Sequence, residues 1–426
     1  MDITEWFPIL VCQNIFNHLP AQDLLEATLV NKEWNEIIGK TKGCMRKVRL
    51  VFKWEKSEQL TPEIRNILRN SDRKYENLGL TGVEMDDFFK DIIEKVPWKT
   101  LTTSRVKFPT KSSLMNMLER IEPLIEELII NEPTVLSNQN HDKFLVALVR
   151  TLKFPRLRIL HSNSCDREVF SMAFVNCANL EVFHFKKHWN LVDDASELIK
   201  PILRNNRQLK DLKIESSGLE LIFDDDIWKR VEFKLTKLIL NRYVNRHQDE
   251  LHDLTRFLEV QSSSLETLSM CAGITERCMQ VVYSMPKLKY LKFPLFDGTA
   301  WNLNWPQLDL PISQSIEKLR ICDMNGRQAI MEALVRSLPN LKCLTVTELT
   351  DDAVIFLSAT VPRLEVLFTA LIDLKIRPDA DVFPVLKKFH ADAIKTSFEL
   401  STEAGNFERL LAKAQQLLRT CQCSHR

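Results

Sequence analysis

One pattern constrains this chain more than any other. An apolar residue is followed by two others, an apolar residue, one other, and an apolar or small residue. It reads Leu157, Leu160, Ser162; Leu180, Phe183, Phe185; Leu209, Leu212, Ile214; Leu235, Leu238, Leu240; and Leu265, Leu268, Met270. It continues as Leu288, Leu291, Phe293; Ile316, Leu319, Ile321; Leu341, Leu344, Val346; Leu364, Leu367, Thr369; and Leu386, Phe389, Ala391. The mean spacing is about 25 residues, inside the ~20–50-residue range in which self-similarity signals a repeat array. Weaker kernels at Ile125, Leu128, Ile130, at Val106 and Phe108, at Leu78 and Leu80, and at Val48 and Leu50 extend the series to about 14 units. Each kernel ends in a two-residue alternation, which suits a short strand with one buried face.

Between kernels the period changes to that of a helix. Thr61-Pro62-Glu63 precedes Ile64, Ile67 and Leu68; Asp193-Asp194 precedes Leu198, Ile202 and Leu203; Thr350-Asp351-Asp352 precedes Val354 and Leu357. Segments 84–96, 141–152, 247–260 and 327–338 behave alike. A unit of one strand and one helix cannot bury its apolar face alone and must stack on its neighbours. The same α/β alternation also describes a doubly wound parallel sheet. The recurring L-x-x-L-x-L kernel resembles the leucine-rich repeat family, and that resemblance implies a curved solenoid with strands inside and helices outside. The family places Asn or Cys eight residues after the first leucine. Only Cys165 does so here, with His188, Ser217, Tyr243, Gly273 and Phe296 at the equivalent places. The side-chain ladder of regular repeats is therefore expected to be largely missing.

Composition narrows the function. Only 9 of 426 residues are Gly, and no G-x-G, P-loop or G-x-S-x-G motif is present. Sites that wrap backbone around a phosphate or expose a nucleophile on a strained turn are thereby excluded at the motif level. Lys plus Arg is 58 and Asp plus Glu is 57, a net charge of +1, so no global field favours nucleic acid or a membrane. The first residues lack a signal peptide, and no stretch approaches the ~18 apolar residues that span a bilayer. The ten cysteines are scattered with no C-x-x-C pair. The expectation is a soluble chain of the cytoplasm and/or nucleus with reduced thiols.

The N-terminus departs from the repeat. Pro8 starts a helix holding Val11, Ile15 and Phe16; Pro20 breaks it; Asp23 is placed to cap the next turn; Leu24, Leu25, Leu29 and Val30 form another apolar run. Trp34, Ile37 and Ile38 close a third helical piece. These 40 or so residues form a unit too small to bury itself well without a partner. The landmarks Phe7-Pro8, Ile15-Phe16, Leu19-Pro20, Asp23-Leu24, Val30 and Trp34 resemble the F-box, with Phe7 in place of the leading Leu and Leu10 in place of a Glu. The plainer alternative is an N-terminal helical cap on the array. The resemblance implies docking on the Skp adaptor of Skp, cullin and F-box ubiquitin ligases through Phe7, Pro8, Val11, Ile15, Leu19, Pro20, Leu24, Leu25, Val30 and Trp34. An F-box followed by leucine-rich repeats is similar to a substrate receptor of that ligase. The expected organisation is F-box 1–43, irregular repeats 44–405, and a capping helix with tail 406–426, its apolar face carried by Phe407, Leu410, Leu411, Ala414, Leu417 and Leu418.

Catalytic chemistry is not expected. H-E-x-x-H is absent, and His184 and His188 lie too far apart along a strand to share a metal. Cys421, Cys423 and His425 read as a frayed tail, and Asp224-Asp225-Asp226 as a cap for the Trp228 segment. No cofactor or metal is expected. In the repeat geometry, residues between kernel positions share the concave face. Lys237, Lys292, Lys318 and Arg320 then fall within four successive units beside Tyr290, a basic patch suited to an acidic or phosphorylated target segment, or else an ordinary polar surface. Trp301 and Trp305, in the long connection after Pro294, are further candidates for contact, or pack beneath their loop.

Overall fold

The computed structural model describes residues 3–53, 62–71, 73, 75–136, 151–186, 196–215, 227, 229–241, 251–270, 275–293, 308–321, 328–373 and 388–394. Outside these lie residues 141–150 of the helix expected at 141–152, whose last two residues are not helical, and Asp193-Asp194, Asp224 to Asp226, Trp228, Trp301 and Trp305, the C-terminal helix, and Cys421, Cys423 and His425. So do His188 and the other ladder positions after Cys165. The chain divides into two compact units, residues 1–211 with 231–233, and residues 212–230 with 234–426.

The first unit opens with five short helices: α1 (Ile3–Trp6), α2 (Ile9–His18), α3 (Ala21–Ala27), α4 (Lys32–Lys40) and α5 (Lys42–Met45). The two prolines act through their fixed φ: Pro8 and Pro20 occupy the N-cap positions of α2 and α3. Asp23 makes no cap hydrogen bond, contrary to expectation. It sits in the first turn of α3, where a carboxylate suits the helix dipole. Asn31 caps α4, accepting from the Trp34 amide at 2.8 Å. Cys12, Phe16, Leu24, Ala27, Ile37, Ile38 and Cys44 form one buried cluster, with Leu19 and Trp34 packed against it. Phe16 meets Trp34 edge-on at 5.1 Å.

There follow β1 (Arg49–Lys53), β2 (Asn77–Thr81), β3 (Thr100–Ser104), β4 (Lys107–Phe108), β5 (Glu127–Asn131), β6 (Thr134–Val135), β7 (Ile159–Asn163) and β8 (Val182–Lys186). Strands β1, β2, β3, β5, β7 and β8 pair in parallel and in that order. Helices Pro62–Arg69, Asp87–Lys95, Lys111–Ile121 and Arg167–Phe174 lie in the connections. The order never reverses, so the switch point of a doubly wound sheet is absent from this unit. Register aligns one spine of buried residues, Leu78, Leu101, Leu128, Leu160 and Phe183. Each such side chain contributes about 1.5–3 kcal/mol by leaving water.

One kernel was misplaced by the leucine pattern. The main strand of its unit is β3, whose inward positions are Leu101 and Thr103. Val106 and Phe108 are buried too, but Phe108 belongs to a second small sheet in which β4 pairs with β6. Just after β2, β3, β5 and β7 the chain turns through left-handed residues, Gly82, Arg105, Glu132 and Ser164, at φ 67, 52, 48 and 58°. Each turns its N–H onto the last carbonyl of the next strand, at 2.8–2.9 Å. Only one of the four is Gly, which is how a chain so poor in glycine still turns.

The second unit holds β9 (Asp211–Glu215, from Leu212), β10 (Lys237–Asn241), β11 (Thr267–Met270), β12 (Tyr290–Phe293), β13 (Lys318–Ile321), β14 (Cys343–Thr350), β15 (Val366–Asp373) and β16 (Lys388–Ile394). From β10 to β16 they pair in parallel, each with the next in sequence. Leu238, Leu268, Leu291, Leu319, Leu344 and Leu367 align as a second buried spine. Helices Leu251–Gln261, Glu276–Tyr283, Gln328–Arg336 and Asp351–Thr360 lie between strands, the last capped by Thr350.

Candidate functional site

The N-terminal helices contain more apolar surface than they bury. In α2, Cys12 and Phe16 stand four apart and face the core, while Val11 and Ile15, also four apart, lie on the outer face. The segment after Pro20 repeats the division, with Leu24 and Ala27 inside and Leu25 and Leu29 outside. Nine of the fifteen exposed large apolar side chains among the described residues fall before residue 31: Trp6, Phe7, Ile9, Leu10, Val11, Ile15, Leu25, Leu29 and Val30. Leu29 is 84% exposed, Leu10 73% and Trp6 68%. Apolar surface at this density marks a protein contact.

The sequence-derived contact set divides accordingly. Phe7, Pro8, Val11, Ile15, Pro20, Leu25 and Val30 are exposed, and Leu19 and Trp34 are half-buried against the cluster. Leu24 is fully buried and offers no surface to an adaptor; its role is to hold the helices together. Trp6, Ile9, Leu10 and Leu29 were missed. The spacing Leu25–Leu29, four apart and one position out of phase with Leu24, was the available signal.

On the second unit's open face, in-register strands form two rows. One runs Lys237, Thr267, Tyr290, Lys318, Cys343, Val366; the other runs Ile239, Ser269, Lys292, Arg320, Thr345, Phe368. Tyr290, Lys292, Lys318 and Arg320 make one block across β12 and β13, because Tyr290 pairs with Lys318 and Lys292 with Arg320. Lys237 lies two strands away, beyond Thr267. Lys318 and Arg320 are exposed, Lys292 and Tyr290 half-buried. Neither row contains a carboxylate. Lys292 and Lys318 meet no carboxylate among the described residues, whereas Lys213 on β9 is paired with Glu215 at 2.7 Å. Beside the block, next to Lys292 in the same row, the Ser269 hydroxyl is buried without a hydrogen-bond partner among the described residues.

Other polar groups lead elsewhere. His184 stacks on His161 with ring centres 4.0 Å apart and meets Asp211 through Nε2 at 3.2 Å. No cluster of three metal-ligating side chains occurs among the described residues. Burial pushes the Cys177 and Cys278 thiols up to about 12, so neither supplies a thiolate at neutral pH. No described helix is long and apolar enough to cross a membrane. No curated protein matches the chain. Residues 5–43 match the family model of the F-box domain, so the N-terminal helical unit with its uncovered apolar face is an F-box.

Proposed function

We propose that this protein is the substrate-recognition subunit of an SCF-type ubiquitin ligase. The F-box docks on the Skp adaptor, and through it on cullin, while the strand–helix units form a leucine-rich-repeat solenoid that binds a target protein. The observation that carries this reading is the uncovered apolar surface of the matched F-box, Trp6 to Val30. The cationic block at Lys292, Lys318 and Arg320, with Tyr290 and the more distant Lys237, receives an acidic or phosphorylated segment of the target. The subunit is not an enzyme. Holding a target at one site and the ligase at another raises the target's effective concentration at the conjugating enzyme, so the gain comes from tethering. It works in the cytoplasm and/or nucleus, on proteins rather than nucleic acid or lipid.

Capture of purified Skp adaptor tests the proposal. Leu10→Glu and Leu29→Glu are expected to abolish capture while leaving thermal stability within about 0.5 kcal/mol, because both side chains are already in water. Leu24→Ala is expected to lower stability by about 2–5 kcal/mol, as removal of a buried leucine does. A full-length chain that retains no adaptor would sink the ligase reading and leave a repeat scaffold that binds partners without ubiquitination.

A further inference from the structure

We infer that the open face of the second unit reads an extended peptide through two features set in one row: an anionic side chain held at Lys292 and Arg320, and a bulky apolar side chain laid against Phe368. This rests on the reading of the cationic block as the target site and adds to it a spacing and a second determinant.

The row Lys292, Arg320, Thr345, Phe368 follows from three consecutive strand pairings, β12 with β13, β13 with β14 and β14 with β15. Side chains in register on parallel strands share a face. Along the row the character changes from cationic to neutral and apolar. The companion row changes the same way, from Tyr290 and Lys318 to Cys343 and Val366. Phe368 is 36% exposed at a position between kernel residues, where a polar side chain is the ordinary occupant. Thr345, between Arg320 and Phe368, is short and half-buried, so nothing in the row rises between the charge and the ring.

The spacing selects the ligand. Arg320 and Phe368 are two strand steps apart, about 10 Å at the usual ~4.8 Å per step. A peptide in the extended polyproline II conformation advances ~3.1 Å per residue and brings every third side chain back to the same face, so its anionic and apolar side chains fall about three residues apart on that face. A polyanion supplies the charge but nothing for the ring, and an apolar segment leaves the lysines uncompensated. A peptide that combines both satisfies the whole row.

Fluorescence anisotropy with the full chain and labelled Gly/Ser host peptides tests this. The peptides carry one phosphoserine or one aspartate, with Leu three residues away on either side, Leu adjacent to the anion, or no Leu. The three-residue spacing is expected to bind about tenfold tighter than the peptide without Leu, the usual worth of one buried apolar side chain. Phe368→Ala should erase that advantage while leaving the Leu-free peptide unchanged, and Phe368→Leu should keep most of it. The phosphoserine and aspartate arms separate the two sources of anion, and the spacing effect in either supports the inference. Binding that is indifferent to Leu position, or lost equally to single-stranded RNA competitor, overturns the two-feature reading while the anion site stands. If no anionic peptide binds and Lys292→Glu with Lys318→Glu changes nothing, the target-site reading itself fails.

Discussion

Asn206 carries no charge and is fully buried, yet it joins neighbouring strand–helix segments within the first unit. Its Oδ1 accepts the amide of Leu180 at 2.6 Å, while its Nδ2 donates to the carbonyls of Cys177 and Ile202 at 2.8 and 2.7 Å. Gln261 does the same in the second unit, taking the Leu235 amide at 2.9 Å. Both amides belong to the first leucine of a kernel, which enters the core before the strand ladder begins; at Leu157, Leu341 and Leu364 a nearby backbone carbonyl accepts the equivalent amide, and at Leu180 and Leu235 a side chain does. Asn206→Ala therefore strands a buried N–H, and the expected loss is about 2–3 kcal/mol. Urea unfolding of the full chain should report it as a lower midpoint with unchanged slope. A loss below about 0.5 kcal/mol would mean that water replaces the side chain. Leucine periodicity identifies Leu180 and Leu235 but carries no information about what pairs their amides. The Asn and Gln that do so were not read from the sequence for that reason.

Among elements, the residues just before the strands form a pattern the kernels conceal. In the first unit they are Glu76, Lys99, Glu126, Arg158, Glu181 and Lys210; in the second, from β11 to β15, Glu266, Lys289, Glu317, Lys342 and Glu365. Sign alternates from strand to strand. Apart from Lys210 and Glu365, the last of each run, each carbonyl accepts two amides from the head of the next strand, as Glu76 does from Lys99 and Thr100 at 2.8 and 3.1 Å. That places successive side chains side by side. Lys99 lies 3.5 Å from Glu76 and 3.4 Å from Glu126, Arg158 lies 2.6 Å from Glu181, and Lys342 lies 2.8 Å from Glu317. Exposed pairs of this kind contribute little singly. Glu76 differs, being 10% exposed and in contact with Arg46 as well. Glu76→Lys is expected to cost about 1–2 kcal/mol and Glu76→Gln less, with Lys99→Glu restoring part of the loss in the double variant. Full additivity of the two would dismiss the ladder. Acid tests it as well. The Arg158 hydrogen bond holds the Glu181 carboxyl below its ordinary value of 4.5, against the opposing effect of burial. The folded-state value is the lower one, so this stabilisation is complete above the unfolded value and is lost as pH falls through the folded one. The strands themselves were legible, because burying the same inward positions in every unit forces the period. The Val106–Phe108 kernel failed because Thr103 occupies an inward position of β3, which let buried Val106 and Phe108, the latter in the neighbouring small sheet, imitate that strand's kernel.

Within the first unit as a whole, the F-box is bonded to the strands that follow it. Lys47 donates to the carbonyls of Asn17 and Leu19, closing the C-terminal end of α2, where a cation also suits the helix dipole. Arg73 reaches back to the Asn35 side chain on α4. Arg46 pairs with Glu76 at 3.0 Å, and Asn77 of β2 donates to the carbonyls of Arg46 and Val48 at 2.6 and 3.3 Å. A helical unit of this size gains little from its own core, so these contacts set how firmly its exposed apolar face is held. None was visible in the sequence, since Arg73 and Lys47 lie outside both the kernels and the F-box landmarks. Replacing both with Ala removes the bonds to α4 and to the end of α2 while leaving every buried leucine in place. Hydrogen exchange of the full chain is expected to quicken about tenfold at residues 15–19 and 35–40, equivalent to ~1.4 kcal/mol of lost local protection, and to stay unchanged in β5, β7 and β8. Adaptor capture should fall by less than the exchange rises, because bound adaptor covers the apolar face and restores order at its own expense. Exchange that does not move in either helix would mean that the F-box stands without its neighbours. A tether built on it would then owe its stiffness to the adaptor alone.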